Sequence, residues 1–235
     1  TLLNILMGKD FADSGTVVIN KDIQVVLFDQ EIHFESGQTI TEFIMSLDSP
    51  PMQALRNYQK SLTSDDSEFM EQAFIEMENQ KAWGLENEMK QILSQLKITD
   101  LNAKMDNLSG GQIKRVALAK LLIETRVEHK HTLLIMDEPT NHLDVDMVEW
   151  LEQYLSRAMV TLLLVTHDRY FLDSVCDIIW EIEDKKLYVH HGAYAQYLEN
   201  KSIREENLNA TIDKANNLYR KELEWMRRQP KARTT

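Results

Sequence analysis

Two carboxylates stand side by side at Asp137-Glu138, directly after the apolar run Leu133-Leu134-Ile135-Met136 and just before Pro139. An apolar run this short, closed by a turn-forming proline, reads as a buried strand of a parallel sheet. Ligands of such sheets gather at the carboxyl ends of the strands. Adjacent acids at that place can divide two tasks. One holds a metal ion and the other takes a proton from water. Taken alone, the pair fits equally well a strand that simply ends in solvated charge.

Two further groups of residues bear on that choice. Ser109-Gly110-Gly111-Gln112 reads as a helix start with two glycines. Glycines let an anion approach the backbone, first-turn N–H groups point outward, and the helix dipole favours negative charge. Ser109 can cap the helix and donate a hydrogen bond. Thr166-His167-Asp168 follows the buried run Leu162-Leu163-Leu164-Val165. It sets a histidine at the end of a neighbouring strand, on the sheet edge that carries Glu138. A histidine beside an acid pair can contact a phosphate or an attacking water.

The elements that must position these groups alternate along the second half of the chain. His131–Met136 and Val160–Thr166 read as strands, with a helix between them that is capped near Asp144 and ends near Ala158. Asp168–Ser174 reads as a short helix, and Ile178–Glu183 with Leu187–His190 as a hairpin. Strands alternating with helices predict an α/β fold with a parallel sheet. The first half begins with a helix closed by Gly8. Thr16–Ile19 and Ile23–Phe28 then read as two strands with a turn, followed by Gln30. From about Thr39 to Asn107 the pattern is helical and polar, interrupted once at Pro50-Pro51, with helical spacing over Glu68–Gln80 and Glu86–Leu96. A further helix runs from Ser109 to about Glu124, which predicts a helical subdomain over about 39–125. From Tyr194 to about Gln229 the chain lacks Gly and Pro, which predicts one long helix, stopped by Pro230.

Composition narrows the classes. The 235 residues allow one large domain or two small ones. Cys176 is the single cysteine and cannot form an internal disulfide, which fits a reducing, cytoplasmic setting. No apolar run approaches the roughly 18 residues of a membrane span. The net charge of −12 is unevenly spread. Residues 1–200 hold 17 Lys/Arg against 33 Asp/Glu, whereas residues 201–235 hold 9 against 5. Arg227, Arg228, Lys231 and Arg233 form a basic end with no acid among them, which fits a polyanion or a solvated helix end.

Together these residues resemble the ATP-binding cassette ATPases. Leu108-Ser109-Gly110-Gly111-Gln112 is similar to the family signature, the strand ending Asp137-Glu138 to its Walker B segment, and His167 to its switch histidine. Gln30 lies where the Q-loop glutamine belongs, and Asn141-His142-Leu143-Asp144 resembles the D-loop. The narrower resemblance is to the ABC-F branch, soluble tandem ATPases that act on ribosomes, and within it to Uup-like members around Trp83-Gly84-Leu85-Glu86. It rests on Glu138-Pro139-Thr140-Asn141-His142-Leu143-Asp144 and on the tail from Glu222 to Arg233, which is similar to the start of the linker between two cassettes.

The resemblance implies an ABC-type nucleotide-binding domain over 1–193, with the helical subdomain inserted, an antiparallel β element, and a linker helix over 194–235. It implies ATP and Mg²⁺ as ligands. Asp137 is then expected at the metal, Gln30 at the metal and the attacking water, and Glu138 as the group that orients and deprotonates that water. His167 is expected to touch the γ-phosphate. Ser109, Gly110, Gly111, Gln112 and Asp144 are expected to contact nucleotide at the junction with a second cassette. Expected partners are that cassette and the ribosome or tRNA, with DNA as an alternative and no membrane. A transporter's nucleotide-binding subunit is the other rival. One departure stands out. The phosphate loop G-x-x-x-x-G-K-[ST] does not occur in the sequence, and Thr1–Leu6 resembles the helix that follows it. The expectation is a cassette fragment truncated just past that loop and inactive by itself.

Overall fold

The computed structural model describes residues 2–28, 31–127 and 131–227. The chain divides into two compact units between Val175 and Cys176.

The first unit is built on a parallel sheet of strands β1 (Ile23–Phe28), β2 (His131–Asp137) and β3 (Val160–Val165), in that spatial order. The central strand β2 is buried along most of its length, as its apolar run requires. Between β1 and β2 lies the helical segment foreseen in the sequence. It comprises α2 (Ile40–Met45), α3 (Pro50–Ser61), α4 (Ser67–Asn79), α5 (Leu85–Gln95) and α6 (Gly110–Val127); α1 (Leu2–Leu6) precedes β1 and ends ahead of a left-handed Gly8. The starts of these helices are written locally. Thr39 and Glu42 form a reciprocal capping box, Ser49 caps α3 with Pro50 and Pro51 in its first turn, and Asp66 caps α4. Helix α7 (Val145–Arg157) joins β2 to β3, and α8 (Arg169–Val175) follows β3.

One apolar cluster connects the helical segment to the sheet. Ile44, Met52 and Leu122 from the helices bury with Leu134, Met136 and Phe171. Helix starts and strand ends are therefore held against a common core.

The segment Thr16–Ile19 departs from expectation. It forms no strand, and Val18 is 87% exposed. The β-branched residues favour extended backbone, yet no neighbouring strand accepts them. The partner of β1 is instead β2, in parallel, with Ile23 opposite His131. Gln30 and the basic residues Arg228, Lys231 and Arg233 lie outside the described residues.

The second unit holds an antiparallel hairpin, β4 (Ile178–Glu183) and β5 (Lys186–His191), and a helix, α9 (Tyr194–Arg227). The hairpin groups with the long helix in this unit. Its turn residues Asp184 and Lys185 both have positive φ, as a two-residue hairpin connection requires. On one face of the hairpin Ile178, Trp180, Ile182, Leu187 and Val189 are exposed. On the other, Glu181 and His190 are buried. Glu181 accepts from Arg204 at 2.8 Å and pairs with Lys201 at 2.8 Å and His190 at 3.3 Å. These bonds fix the first turns of α9 to the hairpin. The rest of α9 buries no residue. Among the described residues no helix is long and apolar enough to cross a membrane.

Candidate active site

The parallel register of β2 and β3 sets Asp137 opposite Val165. The residues that leave the two strands, Glu138 and Thr166-His167, therefore emerge side by side. The Glu138 N–H donates to the Val165 carbonyl at 2.8 Å, which extends the ladder by one bond. Glu138 itself adopts φ 49°, a left-handed conformation that is costly for a residue with a side chain. Strained backbone of this kind is retained where the fold must hold a group in place.

The Glu138 carboxylate is met from β3. Its Oε2 accepts from the His167 N–H at 3.3 Å and from Thr166 Oγ1 at 3.5 Å. Its Oε1 lies 3.4 Å from His167 Nε2. The Glu138 side chain is only 17% exposed, while that of His167 is 98% exposed. One partner is thus largely withdrawn from water and the other projects into it. The backbone of the histidine is anchored from the next helix. Asp168 N–H donates to Thr166 Oγ1 at 3.0 Å, and Asp168 Oδ1 accepts from the Tyr170 and Phe171 N–H groups at 3.1 Å each. Phe171 is fully buried and fastens α8 to the core.

Asp137 ends β2 beside Glu138. Two adjacent carboxylates suit a Mg²⁺ ion, which takes one or two carboxylates together with substrate phosphates and water. Among the described residues no group of three or more His, Cys, Asp or Glu could hold a metal ion. The adjacent carboxylates of Asp137 and Glu138 fit an ion whose remaining ligands are phosphate oxygens and water.

Ser109 caps α6 in a capping box. Its N–H donates to Gln112 Oε1 at 2.9 Å, and the Gln112 N–H donates back to Ser109 Oγ at 3.4 Å. Gln112 is thereby the lock of the turn. The first-turn amides of Gly110 and Gly111 lack intrahelical acceptors by position, so they remain available to an anion. Gly111 also faces His142, where an added Cβ would meet the His142 Cβ at 3.4 Å. The first turn of α6 thus lies against the loop that leaves Glu138.

That loop folds back on itself. Asn141 N–H donates to the Glu138 carbonyl at 3.3 Å and Leu143 N–H to the Thr140 carbonyl at 3.1 Å. It ends at Asp144, which caps α7 by accepting from the Met147 N–H at 3.1 Å. Asp144 is also bonded by Lys97 Nζ at 2.6 Å. The Lys97 bond, followed by the Met147 N–H, holds the Asp144 carboxyl below its ordinary range. The same bond raises the Lys97 ammonium above its own.

The structure therefore brings Asp137, Glu138 and His167 together, and joins Ser109–Gln112 to Asp144 through the intervening loop. Thr166 and Lys97 belong to this arrangement and were not singled out by sequence. Thr166 is signalled only by its place before His167. Lys97 carries no sequence signal.

Comparison with known proteins bears on the family and the fold. A family model described as ABC transporter matches residues 1–141, and a second with the same description matches residues 180–235. An uncharacterized ABC transporter ATP-binding protein of Bacillus subtilis, YfmR, is 39% identical over 100% of this chain and 38% of its own length. The energy-dependent translational throttle protein EttA of Haemophilus influenzae is 36% identical over 99% of this chain and 43% of its own length. The chain thus spans well under half the length of these curated relatives. A solved ATP-binding subunit of an ABC transporter superposes with a TM-score of 0.57 at 14% identity, covering 81% of this chain and 72% of that one, which bears on the fold alone. With its fold so matched and more than half of its length within the first family model, the chain belongs to the ABC transporter family.

Proposed function

We propose that this chain is part of an ATP-hydrolysing cassette in an ABC-F protein that carries a second cassette and acts on the ribosome. The observation that carries the hydrolytic reading is the Glu138–His167 pair at the carboxyl ends of β2 and β3. Glu138 is largely withdrawn from solvent and oriented by two hydrogen bonds, from Thr166 Oγ1 and the His167 N–H, with His167 Nε2 3.4 Å away. A carboxylate so fixed can align a water and accept its proton. His167, exposed beside it, suits contact with a terminal phosphate. Asp137 is the ligand for Mg²⁺. When bound there with nucleotide, that ion neutralises charge on the phosphate oxygens. Gln30 is assigned to the same metal and water by family resemblance.

The Gly110 and Gly111 amides and the Ser109 hydroxyl provide a second anion-binding surface. In this reading it serves nucleotide held by the other cassette, so that two ATP molecules close the pair and hydrolysis releases it. Asp144 shapes the same junction. The translational part of the reading draws on the name of the EttA relatives and on the basic end of the chain. The long helix α9 leads to that end, and it suits a linker that relays cassette closure. The setting is cytoplasmic.

The test is ribosome co-sedimentation of the full-length protein with Glu138→Gln, with ATP and with ADP. Pelleting that requires ATP is expected. Association with duplex DNA or membrane vesicles in place of ribosomes would favour a DNA-associated ATPase or a transporter subunit and overturn the translational reading.

A further inference from the structure

Helix α5 ends in a paired C-terminal turn. Lys97 N–H donates to the Ser94 carbonyl at 3.0 Å, and Ile98 N–H donates to the Leu93 carbonyl at 2.9 Å. This places Lys97 at the first position beyond the cap, with φ 54°. Glycine takes that left-handed position without steric cost, whereas a lysine does not. A strained residue where glycine would serve calls for a use of its side chain.

The side chain reaches the far end of the loop that starts at Glu138. Lys97 Nζ lies 2.6 Å from Asp144 Oδ2 and 3.8 Å from Asp146 Oδ2. Inside the same loop His142 is also left-handed, at φ 72°, and its side chain lies against Gly111 at the start of α6. The loop is therefore held twice from the helical segment, by the end of α5 and by the start of α6. Its own beginning is the carboxylate-bearing Glu138.

We propose that Lys97 is a positioning residue that clamps the loop 139–144 to the helical segment and thereby holds the loop that leaves Glu138 in register with the Ser109–Gln112 turn. This rests on the ATPase reading above. Lys97 and Asp144 are both about half exposed. Exposed ion pairs contribute little to global stability. The clamp therefore acts on the geometry of one loop and leaves the melting of the unit nearly untouched.

The test uses the full-length protein with Lys97→Gly and Lys97→Arg. Glycine suits the backbone and removes the ammonium; arginine keeps the charge. For Lys97→Gly the melting temperature holds or rises, and amides of residues 141–144 exchange faster with deuterium. Its kcat for ATP falls roughly two- to fivefold, the scale of one exposed ion pair, while KM is unchanged. Lys97→Arg restores exchange and kcat. Unchanged exchange at 141–144 in Lys97→Gly would overturn the clamp, and faster exchange with an unchanged kcat would overturn its coupling to turnover. A parent without ATPase activity would defeat the ATPase reading, and with it the coupling, while the exchange measurement still decides whether Lys97 holds the loop.

Discussion

The Glu138 carboxylate and the His167 imidazole meet at 3.4 Å across the ends of two neighbouring parallel strands. The pair exists because the register of β2 and β3 brings two strand exits level, and because Glu138 accepts a left-handed backbone.

This relationship sets the first expectation. In the full-length protein Glu138→Gln lowers kcat for ATP by about 10²–10⁴-fold, the usual worth of a positioned general base. ATP affinity is retained, since the amide preserves shape and the Thr166 and His167 contacts. Phosphate release and nucleotide binding measured on one preparation check both halves. Turnover at the parental rate would remove Glu138 from the role of base.

The chain by itself is expected to bind ATP weakly or not at all. Its sequence contains no G-x-x-x-x-G-K-[ST] loop, and phosphoryl transfer depends above all on positioned phosphates. Calorimetric titration with MgATP is the check, and sub-micromolar affinity would contradict it.

Phe171 fastens the helix whose start anchors the backbone of His167. Phe171→Ala is expected to destabilise the first unit by about 3–5 kcal/mol, as for other buried aromatics. Urea unfolding measures this. A loss below about 1 kcal/mol would mean that α8 is not held by this side chain.

The second unit carries an acid-sensitive joint. Burial alone would raise the Glu181 carboxyl, but the bonds from Lys201, Arg204 and His190 bring it from 4.5 to about 2. A carboxyl lowered on folding stabilises the folded state above its unfolded value, and this contribution is lost as pH falls through the folded value. The first turns of α9 are therefore expected to detach from the hairpin as pH falls from 4.5 toward 2. Other carboxylates titrate in that range too, so the informative quantity is a difference. Glu181→Gln is expected to be less stable at neutral pH and to show a shallower loss over that window. Equal slopes for the two proteins in acid melting curves would refute the assignment.

The open face of the β4–β5 hairpin is expected to bind a fluorescent apolar dye when the chain is studied alone. Trp180 and Val189 are cross-strand partners on that face and both are exposed. Replacing them with Trp180→Ser and Val189→Thr is expected to lower dye binding and any self-association. Unaltered dye fluorescence would place the apolar surface elsewhere.

Much of this was legible in the sequence for local reasons. The run Leu133–Met136 closed by Pro139 marks β2, and the stretch from Tyr194 without Gly or Pro marks α9. Glu138 and His167 were readable because each directly follows such an apolar run. What failed was non-local. Thr16–Ile19 has the composition of a strand, but composition does not supply a partner, and the chain leaves Val18 in solvent. The pairing of β1 with β2 spans the whole helical segment and leaves no trace in either strand. Lys97 was invisible for a related reason. Its importance depends on a left-handed turn and on an acid far along the chain.

The unequal spans of the two strand pairings also set an order of assembly. β2 and β3 are joined by a single helix, whereas β1 waits for its partner across roughly a hundred residues. Closing the longer span costs about 1 kcal/mol more chain entropy by the logarithmic scaling of loop closure. The β2–α7–β3 unit is thus expected to form first, and β1 to dock after the intervening helices have shortened the gap. Conservative substitutions in β3 should slow folding, while those in β1 should mainly speed unfolding. On that order, Glu138 and His167 would meet before the sheet that carries them is complete.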